Sequence, residues 1–103
     1  MTTGWRRIDG NNYYLGPDGK MRTGWQQIDG AWYYLDGSGV RTTDWQYVNG
    51  RWYYMNSSGV MQVGWQRING DWYYLDGSGA MATGWRMVNG IWYFMNSSGA
   101  WMY

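Results

Sequence analysis

Gly24-Trp25-Gln26-Gln27-Ile28-Asp29-Gly30-Ala31-Trp32-Tyr33-Tyr34-Leu35 is the stretch whose reading decides the fold. Its centre is Asp29-Gly30. A two-residue type I′ turn needs positive φ at both central residues, and Asp-Gly and Asn-Gly are the pairs that best tolerate it. The flanking runs are rich in aromatic and branched residues, which favour strands. The stretch therefore predicts a hairpin in which Ile28 faces Ala31, Gln27 faces Trp32, Gln26 faces Tyr33 and Trp25 faces Tyr34.

The same grammar returns every 20 residues. The turns are Asp9-Gly10, Asp29-Gly30, Asn49-Gly50, Asn69-Gly70 and Asn89-Gly90. The second strands open on Asn12-Tyr13-Tyr14, Trp32-Tyr33-Tyr34, Trp52-Tyr53-Tyr54, Trp72-Tyr73-Tyr74 and Trp92-Tyr93-Phe94. Between hairpins lie turn-forming segments such as Asp36-Gly37-Ser38-Gly39 and Asn56-Ser57-Ser58-Gly59. A fixed period of this length marks a repeat architecture. An isolated hairpin is marginal in water, so the hairpins are expected to stack, each covering its neighbour. The expected fold is all-β, a solenoid of five stacked hairpins. A single module over residues 1–103 is expected, with repeats at about 3–22, 23–42, 43–62, 63–82 and 83–103.

Composition narrows the chemistry. Aromatic residues make up 21% of the chain and aliphatic residues are scarce. Each large ring can bury on the order of 150–250 Å², so a core of rings strung along the repeat is expected. The formal net charge is +1 and the basic residues are scattered, which gives no case for nucleic acid. There is no Cys and no His, and every acidic residue is Asp. The usual general base and thiolate metal ligands are missing, so an enzyme, a metal site and a cofactor are not expected. No apolar run approaches the roughly 20 residues of a membrane span. Met1-Thr2-Thr3 leads straight into the first repeat, and no signal peptide is expected in this segment.

Alternation along the strands puts Trp25, Gln27, Trp32 and Tyr34 on one face, and Gln26, Ile28, Ala31, Tyr33 and Leu35 on the other. If each hairpin meets the next by the same operation, Trp25 and Trp32 look toward Tyr53. By the same step Trp45 and Trp52 look toward Tyr73, and Trp65 and Trp72 toward Tyr93. Such a gap suits a quaternary ammonium, which has no N–H to satisfy and is attracted by ring faces alone. Three rings offer about 3–6 kcal/mol before association costs, so one site should bind at roughly millimolar concentration. Several sites on one polymer would raise the avidity. The competing reading is packing alone. It is the preferred one for Tyr34, Tyr54 and Tyr74, each opposite a Trp of its own hairpin.

The pattern Gly-Trp-x-x-x-x-Gly-x-Trp-Tyr-Tyr-x-x-x-x-Gly-x-Met closely resembles the choline-binding repeat of Gram-positive cell-wall-binding proteins and phage lysins. The resemblance covers nearly the whole chain. It implies a left-handed solenoid with choline between successive hairpins, held by two Trp of one repeat, a Tyr of the next and often a Met. The implied sites are Trp25, Trp32 and Tyr53; Trp45, Trp52 and Tyr73; and Trp65, Trp72 and Tyr93. Met61 and Met81, in the Gly-x-Met position, would complete the second and third cages.

The chain departs from the pattern at Asn12, which replaces the second Trp of the first repeat and leaves Trp5 with Tyr33 as a degenerate site. Arg41 replaces a Met and is expected near Trp25 and Trp32, where its guanidinium would fill or repel from the cage. Asp44 replaces the Gly before Trp45. Trp85 and Trp92 have no following hairpin, so Trp101, Met102 and Tyr103 either fold back over them or leave an end that pairs with a second copy as a homodimer. The implied partner is choline or phosphocholine on cell-wall teichoic acid, and the parent protein would be secreted to the bacterial cell surface. The alternatives are an α-glucan-binding repeat and a ligand-free structural scaffold.

Overall fold

The computed structural model describes residues 3–103. Met1 and Thr2, on which the expectation about a leader partly rests, lie outside the described residues. Among the described residues, ten short strands form five antiparallel two-stranded sheets, one per repeat. They are β1 (Gly4–Ile8) with β2 (Asn11–Leu15), β3 (Gly24–Ile28) with β4 (Ala31–Leu35), β5 (Asp44–Val48) with β6 (Arg51–Met55), β7 (Gly64–Ile68) with β8 (Asp71–Leu75), and β9 (Gly84–Val88) with β10 (Ile91–Met95). No helix occurs among the described residues, and none is therefore long and apolar enough to cross a membrane.

The turns have the geometry that their sequence asks for. Asp29 and Gly30 adopt φ of 52° and 82°, and the other four turns are alike. The pairing in the second hairpin is Ile28 with Ala31, Gln27 with Trp32, Gln26 with Tyr33 and Trp25 with Tyr34, as the turn dictates. The Trp–Tyr pairs across the strands meet edge to face, while Trp85 and Phe94 in the last hairpin are tilted at 60°. Trp25 and Tyr34 lie 5.0 Å apart, Trp45 and Tyr54 5.1 Å, and Trp65 and Tyr74 5.2 Å.

The segment after each of the last four hairpins is hung from one side chain. Asp36 Oδ1 accepts the N–H groups of Ser38 and Val40 at 2.9 and 3.0 Å. Asn56, Asp76 and Asn96 do the same for their own loops. This Asx arrangement turns the chain back, so Leu35 bridges Arg41, Met55 bridges Met61, Leu75 bridges Met81 and Met95 bridges Trp101. The connector thus runs beside the strand it has just left instead of leading away from it.

The chain forms two compact units. The first holds the chain through Asp44 together with Met55–Met61, and the second holds Trp45–Tyr54 and Gln62–Tyr103. In the first unit the second hairpin meets the first through Tyr33 and Trp5. In the second unit Tyr73 meets Trp45 and Tyr93 meets Trp65 in the same way. The core corrects the expectation from composition. The fully buried side chains are Leu35, Met55, Leu75 and Met95, not the rings. Ile28, Val48 and Ile68 are buried too. The scarce aliphatic residues are spent at the inner positions, and the indoles form an outer layer that stays half open.

Candidate functional site

The outer ring layer of the second unit includes two cavities walled by both Trp and Tyr, besides a more open hollow of about 540 Å³ lined by Trp85 and Trp92. The first, of about 360 Å³, is lined by Trp45, Trp52, Tyr73, Met81, Ser97 and Ser98. β5 and β6 supply the two indoles. Their rings stand 6.5 Å apart and nearly perpendicular, because Trp45 and Trp52 are diagonal neighbours on one face of the hairpin. β8 supplies Tyr73, 5.0 Å from Trp45 and edge-on to it. Tyr47, opposite Trp52, tilts against that indole from outside at 5.0 Å. None of the lining side chains is charged, and the walls present ring faces, a thioether and two hydroxyls.

The second cavity, of about 310 Å³, is lined by Trp65, Trp72, Tyr93 and Trp101. Trp65 and Tyr93 lie 4.9 Å apart, and Trp101 is 6.4 Å from each. Trp52 and Trp72 are 42% and 40% exposed, so each cavity has one wall open to solvent.

The Trp–Trp–Tyr sets expected at 45/52/73 and 65/72/93 are thus brought together. The methionines are placed differently from the expectation. Met81 lines the 45/52/73 cavity, not the 65/72/93 one. Met61 lies in the first unit, where its N–H donates to Trp32 O at 2.8 Å. The reason is the returning connector. The N–H of Met81 donates to Trp52 O at 2.8 Å and that of Trp101 to Trp72 O at 2.7 Å, so each connector crosses the hairpin before the one it follows. Trp101 takes in the second cavity the place that Met81 takes in the first. Sequence reasoning gave Trp101, Ser97 and Ser98 no place in a cage. Counting one period on from Met81 would have found Trp101.

Arg41 obeys the same rule. Its N–H donates to Asn12 O at 2.8 Å, so it lies on the first hairpin and not near Trp25 and Trp32 as expected. Its guanidinium carbon sits 5.0 Å from the centroid of the Trp5 ring, and Trp5 is 4.9 Å from Tyr33. Gly59, with no side chain, leaves room for the Arg41 stem, since a Cβ there would fall 2.6 Å from Arg41 Cδ. The degenerate site therefore contains a cation of its own.

Trp25 and Trp32 belong to the first unit and Tyr53 to the second. Trp25 packs on Tyr34, and Trp32 is 40% exposed. Beyond β10 the chain turns back. Tyr103 stacks on Phe94 at 5.5 Å and approaches Trp85 at 5.9 Å. Trp85 and Trp92 nevertheless remain 58% and 57% exposed.

Two carboxyl groups are shifted, both in connectors. The Lys20 N–H, and then the Arg22 guanidinium 3.2 Å away, hold Asp18 below the usual carboxylate range. Burial alone would raise Asp76. Bonds from the Ser78 hydroxyl, the Ser78 N–H and the Ala80 N–H, with Arg86 nearby, outweigh burial and hold it low. Neither lines a cavity. Their chemistry is that of loop anchors.

Comparison with known proteins gives the family and the fold. The choline-binding repeat family matches residues 2–44, 42–82 and 63–103. The crystal structure of choline binding protein F from Streptococcus pneumoniae is 49% identical, with a TM-score of 0.96, over 99% of this chain and 35% of that one. The cell wall endolysin of phage Cp-1, complexed with choline, is 36% identical with a TM-score of 0.77, over 99% of this chain and 31% of that one. The choline binding domain of Spr1274 in Streptococcus pneumoniae is 40% identical with a TM-score of 0.69, over 79% of this chain and 95% of that domain. A search of curated protein sequences finds no match. The chain spans about a third of the length of choline binding protein F.

Proposed function

Since the chain belongs to the choline-binding repeat family, we propose that it is a non-catalytic binding module that holds choline in the two ring-lined cavities of its second unit. The observation that carries this reading is the cavity of Trp45, Trp52, Tyr73 and Met81, whose lining has no charged side chain. A primary ammonium there would lose hydration and find no carboxylate, only the neutral hydroxyls at one lip. A trimethylammonium has no N–H to satisfy and gains from each ring face it touches, about 1–2 kcal/mol per ring when desolvated. Trp65, Trp72, Tyr93 and Trp101 offer the same walls. Each site is weak alone, and a polymer that displays choline repeatedly, such as phosphocholine on teichoic acid, would be held by avidity. The parent protein then belongs at the bacterial cell surface.

Calorimetry of the chain with choline, together with near-ultraviolet circular dichroism of its indoles, tests the reading. Binding at roughly millimolar concentration is expected, with a rise in melting temperature as choline is added. No heat, no spectral change and no stabilisation at tens of millimolar choline would end it. Retention on dextran but not on a choline-like amine resin would move the assignment to an α-glucan.

A further inference from the structure

The two cavities of the second unit share a plan and differ at one lip. Met81 and Trp101 stand one period apart, each with its N–H on the carbonyl of the outer Trp, Trp52 or Trp72. Around Met81 the lip is polar. Ser97 and Ser98 line the cavity there, and Gly99 lets the thioether lie close, since a Cβ at Gly99 would fall 2.3 Å from Met81 Sδ. Around Trp101 the lip is another indole, at equal distance from Trp65 and Tyr93 and 43% exposed. The second cavity is lined by four rings and by no aliphatic hydroxyl.

A trimethylammonium head suits both cavities, so the rest of the ligand has to tell them apart. The ethanol arm of choline, or its phosphate ester, finds hydroxyl partners beside Ser97 and Ser98. A flat apolar substituent finds none there, but can stack on the exposed face of Trp101. We infer that the cavity of Trp65, Trp72, Tyr93 and Trp101 selects quaternary ammonium ions bearing an aromatic substituent, and that Trp101 sets this preference. The Met81 cavity, with Ser97 and Ser98, is the one for small hydroxylated or phosphorylated ions. The inference rests on the reading that both cavities take quaternary ammonium ions at all.

The test uses the full chain labelled with 5-fluorotryptophan, its ¹⁹F resonances assigned by single Trp→Phe replacements and titrated with choline and with benzyltrimethylammonium. The benzyltrimethylammonium-to-choline affinity ratio is expected to be about three- to tenfold higher at Trp65 and Trp72 than at Trp45 and Trp52, the range that one aromatic pair supplies. Trp101→Met should bring the two ratios together while choline still shifts Trp65 and Trp72. Trp101→Phe keeps a ring and should keep most of the preference, which guards against a Met variant that folds poorly. Equal ratios in the unsubstituted chain, or a ratio indifferent to Trp101→Met, overturn the inference and leave the proposed function standing. If choline moves none of these four resonances, the proposed function falls and the inference with it.

Discussion

Two ring pairs, one in each unit, have the same geometry and different surroundings. Trp5 and Tyr33 meet at 4.9 Å and 67°, and Trp45 and Tyr73 at 5.0 Å and 67°. In both places a returning connector donates an N–H at 2.8 Å to the preceding hairpin, from Arg41 to Asn12 and from Met81 to Trp52. In the first unit, Asn12 offers no ring and Arg41 lays a guanidinium over Trp5. In the second, Trp52 and Met81 enclose an uncharged cavity. The backbone therefore builds the niche in every case. Two side chains decide whether the niche is filled by the chain's own cation or left as an open cavity.

The largest expected effect probes what the two regions share. Leu35 in the first unit and Leu75 in the second are both fully buried. Alanine at either should cost about 2–5 kcal/mol in chemical denaturation, the range for a buried leucine that leaves a cavity. Costs that differ severalfold would break the claim that the two units rest on equivalent cores.

The next effect probes what they do not share. Arg41→Met removes the resident cation and should lower stability by about 0.5–2 kcal/mol in the absence of choline. Combined with Asn12→Trp, it rebuilds at Trp5 and Tyr33 the residue set of Trp45, Trp52, Tyr73 and Met81. Calorimetry should then count one more choline per chain than before. An unchanged count would show that side-chain identity at these two positions is not what separates the units.

A smaller effect lies at the start of β5. Asp44 adopts φ of 64°, where Gly24, Gly64 and Gly84 adopt 75°, 79° and 71°. The left-handed region strains a residue with a Cβ, although Asp tolerates it better than most. Asp44→Gly should raise stability by about 0.5–1 kcal/mol, read from the shift of the denaturation midpoint. A loss instead would mean that the Asp44 side chain contributes more than its backbone costs.

The hairpins were legible in the sequence because their determinants are local. Asp29-Gly30 sets the turn, the turn sets the register, and the register puts Trp25 opposite Tyr34. The groupings at 45/52/73 and 65/72/93 followed from alternation and the period. What was not legible was the path of the connector. Met81 precedes β9 in sequence, and nothing near it signals that its N–H will find Trp52 O, across a whole intervening hairpin. The displacement of Arg41, Met61 and Met81 by one repeat comes from this single long-range bond pattern. The aliphatic core was missed for a related reason. Composition counts rings, but strand alternation turns Leu35 and Leu75 inward and leaves Trp32 and Trp72 at the surface.

The smallest effect compares the two cavities through their connectors, because one hangs from an acid and the other from an amide. Asp76 anchors the loop that leads to Met81, and Asn96 anchors the loop that leads to Trp101. Asp76 is held below its ordinary value by bonds that outweigh its burial. A carboxyl depressed on folding contributes stability that is full above its unfolded value, near 3.9, and is lost as pH falls through the folded one. Choline titrations followed at Trp45 and Trp52 should therefore weaken only as pH falls below the ordinary carboxylate value and through the depressed one, as protonation of Asp76 loosens the Ser78 and Ala80 bonds that position Met81. Those followed at Trp65 and Trp72 should hold, since Asn96 does not titrate. Asp76→Asn should make the first cavity as indifferent to acid as the second. If both weaken together in the unsubstituted chain, the acid sensitivity belongs to the fold as a whole and not to the anchor of one lip.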